Sequence, residues 1–188
     1  MTLQEFFAEN ARAAIAFSGG VDSSYLLYAA VQCGADVHAY FAKTAFQPQF
    51  ELDDARRLAE SVGAKLTVLE LDALSSEDVA RNPANRCYYC KQNIFGNLKR
   101  AAADGTNASD DAGDRPGMRA LREMDVRSPL RECGLTKAEI RRLSHEAGLF
   151  TWDKPAYACL ATRVPTGTRI TPELLAATER AEGWLFSQ

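Results

Sequence analysis

The sequence predicts a doubly wound α/β domain built on a parallel sheet. Three observations carry this. Short apolar segments alternate with amphipathic helical ones, two of the helical segments close on Gly34 and Gly63, and a glycine-rich turn runs from the first apolar segment straight into a helix.

In chain order, residues 3–11 read as a helix and 13–17 as a fully buried strand. The turn at 18–23 leads into a helix whose apolar face carries Tyr25, Leu26, Ala29 and Ala30. Residues 37–41 read as the next strand, 50–62 as a helix with Leu52, Ala55, Leu58 and Ala59 on one side, and 65–71 as a third strand. Residues 72–86 are polar, and 87–103 have a helical pattern. Asp, Gly, Asn and Ser dominate 104–117, which reads as a loop. A short helix at 118–124 and a short strand at 126–129 follow. A helix at 136–147 starts with Thr136 as cap and Glu139 completing a capping box. Residues 150–172 have little periodicity, and a last helix begins near Pro172. The expected organisation is a nucleotide-binding domain over 1–150 and a separate segment over 151–188, the start of a truncated C-terminal region. The helical pattern of 87–103 meets the loop so abruptly that either residues are omitted there or the fourth strand is a stub.

The chain has 188 residues, 46% hydrophobic and 25% charged, the composition of a globular domain. No apolar run is long enough for a bilayer and no secretory signal is visible, so a cytoplasmic location is expected. A net charge of −3 speaks against a general grip on nucleic acid. Five cysteines in such a chain suggest metal or redox chemistry rather than a disulfide framework.

Ser18-Gly19-Gly20-Val21-Asp22-Ser23 is the strongest local signal. Its glycines allow positive φ and close backbone approach, and the helix start behind them offers unbonded N–H groups and the positive dipole end to an anion. The hydroxyls of Ser18 and Ser23 add hydrogen bonds, and Asp22 can position Mg²⁺ or cap the helix. The lysine of a Walker A loop is missing, and the spacing is not that of a dinucleotide fold. The bland alternative is a tight turn with an N-cap.

Cys87 and Cys90 form a C-x-x-C at a predicted helix start, and Cys159 lies far away in sequence. Three thiolates leave one iron of a 4Fe–4S cube without a protein ligand. Zinc, which prefers four ligands, a redox thiol pair and uncoordinated thiols stay open as alternatives. Cys33 and Cys133 are expected to be small buried residues.

The 18–23 segment resembles the PP-loop of the N-type ATP pyrophosphatases, which implies a HUP-like fold, ATP cleavage between the α and β phosphates, and Mg²⁺. Asp104-Gly105-Thr106-Asn107 looks like a nucleotide-side loop of some members. Taken with the runs 82–91, 104–110, 115–120 and 159–168, the chain closely resembles the LarE family, ATP-dependent sulfurtransferases acting on pyridinium-3,5-biscarboxylic acid mononucleotide in nickel-pincer cofactor biosynthesis. That resemblance implies Ser18, Gly19, Gly20, Val21, Asp22, Ser23, Gly105, Thr106 and Asn107 at ATP, with Asp22 and Cys159 catalytic. It also implies Cys87, Cys90 and Cys159 as ligands of a 4Fe–4S cluster, where another branch of the family sacrifices the cysteine matching Cys159. Arg119 and Arg163 are candidates for the substrate's anionic groups. A small-molecule nucleotide substrate and a homo-oligomer are expected. The rival readings are a tRNA-thiolating enzyme, an ammonia-using synthetase, and a sensor that holds ATP without turnover.

Overall fold

The computed structural model describes residues 1–98, 102–103, 119–120, 123 and 126–188. Helix α1 (Leu3–Glu9) opens on a capping box between Thr2 and Glu5 and buries Phe6 and Phe7. Strand β1 (Arg12–Ala16) leads through the glycine turn into α2 (Val21–Gln32). The units β2 (Asp36–Lys43), α3 (Gln49–Ser61) and β3 (Lys65–Glu70) follow. After a 3₁₀ turn (Ala73–Ser75) and the one-turn α4 (Glu77–Ala80) comes α5 (Arg86–Leu98). The remaining elements are β4 (Ala102–Ala103), α6 (Pro129–Glu132), α7 (Lys137–Glu146), a 3₁₀ turn (Leu160–Arg163) and α8 (Pro172–Phe186).

The sheet is parallel, in the order β3-β2-β1-β4. Ile15 pairs with Ala39 on one side and Ala103 on the other. Moving from β1 through β2 to β3 in right-handed steps puts α2 and α3 on one face, and the return to β4 puts α5 on the other. This is the doubly wound arrangement expected from the sequence. The chain reverses direction between β1 and β4, and such sheets bind ligands outside the carboxyl ends of the strands at that point.

Ile15, Val37, Ala39 and Phe41 point from the sheet into the main core, where they meet Leu26 and Leu27 of α2, Leu52, Ala55 and Leu58 of α3, Leu130 and Ile140. A second, smaller core gathers Phe46, Ala73, Val79, Leu160, Ala161, Val164, Ile170 and Leu175. It ties the irregular segment after residue 150 to the region around α4 and α5.

Three local expectations change. The segment expected as a helix over 87–103 is helical over Arg86–Leu98, while Ala102–Ala103 pair with β1 as strand β4. The strand expected over 126–129 is a single bridge residue at Arg127 followed by α6, because Pro129 sits at the first helical position, where its missing N–H matters least. Cys33 is exposed and Cys133 half-buried, since both lie at helix ends rather than inside the core. In the expected helix at 118–124, residues 119–120 and 123 are helical.

Candidate active site

The turn after β1 is shaped by backbone geometry. Gly19 has φ +71°, a conformation that strains any side chain, and a Cβ there would stand 3.1 Å from the Glu51 carbonyl oxygen in α3. Gly20 caps α2 without a side-chain hydrogen bond. The Ser24 N–H makes the first helical bond, 2.9 Å to the Gly20 carbonyl, leaving the amides ahead of it outside the ladder. The serines brace the turn from within. Ser23 Oγ donates to the Gly20 carbonyl at 3.2 Å and accepts the Ser18 N–H at 3.3 Å, and the two hydroxyls stand 3.0 Å apart.

The turn opens onto a cavity of ≈ 480 Å³ at the carboxyl ends of β1 and β2. Ser18, Gly20, Val21, Asp22 and Ser23 line one side, and Tyr157 and Cys159 another. Ile94 and Phe95 of α5 and Tyr40 and Ala42 of β2 also line it. Three lysines reach its wall: Lys91, Lys137 and Lys154. Lys137 Nζ donates to Asp22 Oδ1 at 2.6 Å. Lys154 Nζ donates to Asp54 Oδ2 at 2.6 Å and to the Gly19 carbonyl at 3.3 Å. Glu51 also lines the cavity, and burial, with some help from Asp54, pushes its carboxyl above the ordinary range against the pull of Lys154 and Lys43.

At the far end the thiols converge. Cys90 and Cys159 pack against the second core, and burial, then the neighbouring Cys159 and Cys87, pushes the Cys90 thiol up to about 12. Cys159 is likewise raised, chiefly by burial, against the pull of Arg86. Arg86 is buried and bridges the two cysteine-bearing segments. Its Nη1 donates to Asn82 Oδ1 at 2.5 Å and to the Ala161 carbonyl at 2.9 Å, and its Nη2 lies 4.0 Å from Cys159 Sγ. Asn82, at φ +54°, donates through Nδ2 to the Val164 and Pro165 carbonyls. Among the described residues no three His, Cys, Asp or Glu side chains form a group tight enough for a single metal ion.

Of the two candidate arginines, neither lines the cavity. Arg163 pairs with Glu182 at 2.6 Å, with its guanidinium 4.8 Å from the Tyr157 ring centroid. Arg119 lies over the Tyr88 ring and 3.4 Å from Glu123. Gly105, Thr106 and Asn107 lie outside the described residues. The lysines, Glu51 and the Asn82–Arg86 clasp were missed from sequence. Only Lys137 carried a signal: it stands at the first position of α7, where the helix dipole disfavours a cation.

Comparisons with known proteins bear on this chain as follows. A family model described as asparagine synthase matches residues 7–97, the span from α1 through most of α5. Pyridinium-3,5-bisthiocarboxylic acid mononucleotide synthase of Lactiplantibacillus plantarum is 35% identical over 186 residues, 94% of this chain and 67% of that protein. The chain belongs to the LarE family. An uncharacterized protein of Synechocystis is 39% identical over 97% of this chain and 72% of its own length. A second uncharacterized protein, from Methanocaldococcus jannaschii, is 30% identical with the same coverage. Membership in this PP-loop family makes the chain an ATP-using enzyme that works with Mg²⁺. No helix among the described residues is long and apolar enough to cross a membrane.

Proposed function

We propose that this chain uses ATP to adenylate a carboxylate of pyridinium-3,5-biscarboxylic acid mononucleotide and then replaces the adenylate with sulfur, giving a thiocarboxylate. The observation that supports this reading is the single cavity lined by both the phosphate turn and Cys159. Adenylation engages an oxygen, and sulfur delivery the carbon, of the same carboxyl group, so the two centres must share one chamber. A carboxylate oxygen attacks the α phosphorus, the α–β bond breaks, and pyrophosphate leaves into the turn formed by Ser18, Gly19, Gly20, Val21, Asp22 and Ser23. A sulfur nucleophile then attacks the acyl carbon and AMP departs with the bonding pair. The amides at the start of α2 suit the growing charge on pyrophosphate. Asp22 is the carboxylate suited to hold Mg²⁺, which when bound spreads the phosphate charge. Gly105, Thr106 and Asn107 are assigned to the nucleotide on resemblance.

Cys87, Cys90 and Cys159 are the proposed ligands of a 4Fe–4S cluster. The donor set fits: all three donors are sulfur, two lie one turn apart at the start of α5, and Cys90 packs with Cys159 against the second core. Cluster ligands stand farther apart than those of a single ion, which is compatible with the absence of a tighter group. When bound, the cluster supplies a place for transferable sulfide. For the substrate's phosphate and second carboxylate, Lys91 and Lys154 line the cavity directly. Arg163 and Arg119 stay as outer candidates, and Arg163 must let go of Glu182 to serve.

The test uses anaerobically purified protein. Iron and acid-labile sulfide in cluster stoichiometry are expected, together with pyrophosphate release on adding the pyridinium mononucleotide. A Cys159→Ala variant is expected to keep pyrophosphate release and form no thiocarboxylate. Absence of pyrophosphate in the presence of ATP, Mg²⁺ and this substrate would sink the reading. A second reading, in which Cys159 gives up its own sulfur, is favoured by one observation: of the three cysteines only Cys159 lines the cavity. Dehydroalanine at position 159 after one turnover, seen by peptide mass, would select it.

A further inference from the structure

Building on the ATP reading, we propose that Lys137 is a resident stand-in for the metal ion at Asp22, and that it transfers its charge to the phosphates when nucleotide enters. The pair is long-range, joining residues 115 apart in sequence, and Nζ stands 2.6 Å from Oδ1. Both residues line the cavity beside Ser18, Gly20 and Ser23. Asp22 is in the first turn of α2, so it sits where the phosphate turn passes into the helix.

The position of Lys137 is costly by local rules. It opens α7, where the partial positive charge of the helix end repels an ammonium and favours an acid. A lysine in that place is explained by a partner outside its own helix, and Asp22 is that partner. Lys154 differs. Its ammonium is clamped between Asp54 and the Gly19 carbonyl, with its side chain 14% exposed, so it braces the turn where it lines the cavity. Lys137, at 37%, lies on a more open side of the cavity.

Before nucleotide enters, the Lys137 ammonium offsets the charge of the Asp22 carboxylate inside a partly shielded cavity. A divalent cation held by that carboxylate would repel the ammonium, which would then pair with the phosphate chain. There it stabilises the charge that develops as the α–β bond breaks. Lys137 therefore has two opposed effects, opposing the metal at Asp22 and assisting departure of pyrophosphate.

The opposition gives the test. Binding of α,β-methylene-ATP, which cannot be cleaved at the α–β bridge, is followed on the full chain as Mg²⁺ is raised. In Lys137→Gln the Mg²⁺ midpoint is expected to fall roughly fivefold, since the competing ion pair is gone. The rate of pyrophosphate release with ATP is expected to fall about a hundredfold in the same variant. In Lys137→Arg, whose guanidinium grips a carboxylate through two donors, the midpoint is expected to rise. A purely structural lysine would lower both binding and rate and would not tighten Mg²⁺. An unchanged midpoint in both variants, with normal binding by the wild type, would overturn the inference alone. If the wild type fails to bind the analogue at any Mg²⁺ concentration, the ATP reading falls and takes the inference with it.

Discussion

The two ends of the cavity are built in different ways. The phosphate end is held largely from within: Ser18, Gly20 and Ser23 bond to one another within six residues and α2 supplies its amides from the same segment, with Lys154 added from a distance at the Gly19 carbonyl. The thiol end is assembled across the chain. Cys90 and Cys159 are brought together by a clasp in which Arg86 reaches the Ala161 carbonyl and Asn82 reaches Val164 and Pro165. The lesson is that a phosphate site can be encoded in a short motif, whereas a sulfur site with distant ligands needs a packed support that no motif describes.

The sharpest way to break the contrast is Arg86→Met. It leaves the buried Asn82 amide oxygen without its donor and takes one of two donors from the Ala161 carbonyl, which keeps the Val164 N–H, and a loss of about 2–4 kcal/mol is expected in denaturant unfolding. If the two ends are independent, variant protein that is still folded binds α,β-methylene-ATP normally while its iron content collapses. Equal loss of both would show that the clasp supports the whole cavity.

Gly19→Ala attacks the other end. The positive φ and the 3.1 Å approach to the Glu51 carbonyl together predict a loss of about 1–3 kcal/mol, with nucleotide binding lost and iron retained. The neighbouring atom is backbone in α3, which leaves the methyl group little room to be accommodated.

The smallest effect is expected at Glu51, on the cavity wall. Burial raises its carboxyl above the ordinary 4.5, so the folded state holds the proton more tightly than the unfolded chain. Stability should therefore fall as pH rises from the unfolded value through the raised folded one, and stay lower above it. Glu51→Gln removes that penalty. Its melting temperature should exceed that of the wild type at neutral pH and match it below pH ~4. A variant less stable at neutral pH would mean that Glu51 is held by its lysine neighbours more than it is penalised by burial.

Much of the fold was legible because it rests on periodicity and punctuation. Leu52, Ala55, Leu58 and Ala59 mark the buried face of α3, and Thr136 with Glu139 marks the start of α7, as the structure bears out. The phosphate turn was legible for the same reason, since its chemistry lies in consecutive residues. Lys154 and Glu51 gave no such signal. Each does its work through a partner in another element, and side-chain type alone does not say which surface lysine points inward. Arg119 and Arg163 show the converse. They have the right chemistry for anions, yet Glu123 and Glu182 engage them outside the cavity.

The sequence by itself determined the alternation of strands and helices, the phosphate turn and the set of cysteines, because backbone propensity, glycine conformation and thiol chemistry are properties of short segments. Tertiary structure alone decided that Ala102–Ala103 pair with β1, that Lys137 meets Asp22, and that Arg86 holds Cys159 beside the C-x-x-C helix. Those outcomes depend on which distant groups share buried space, and that is settled only when the two cores close.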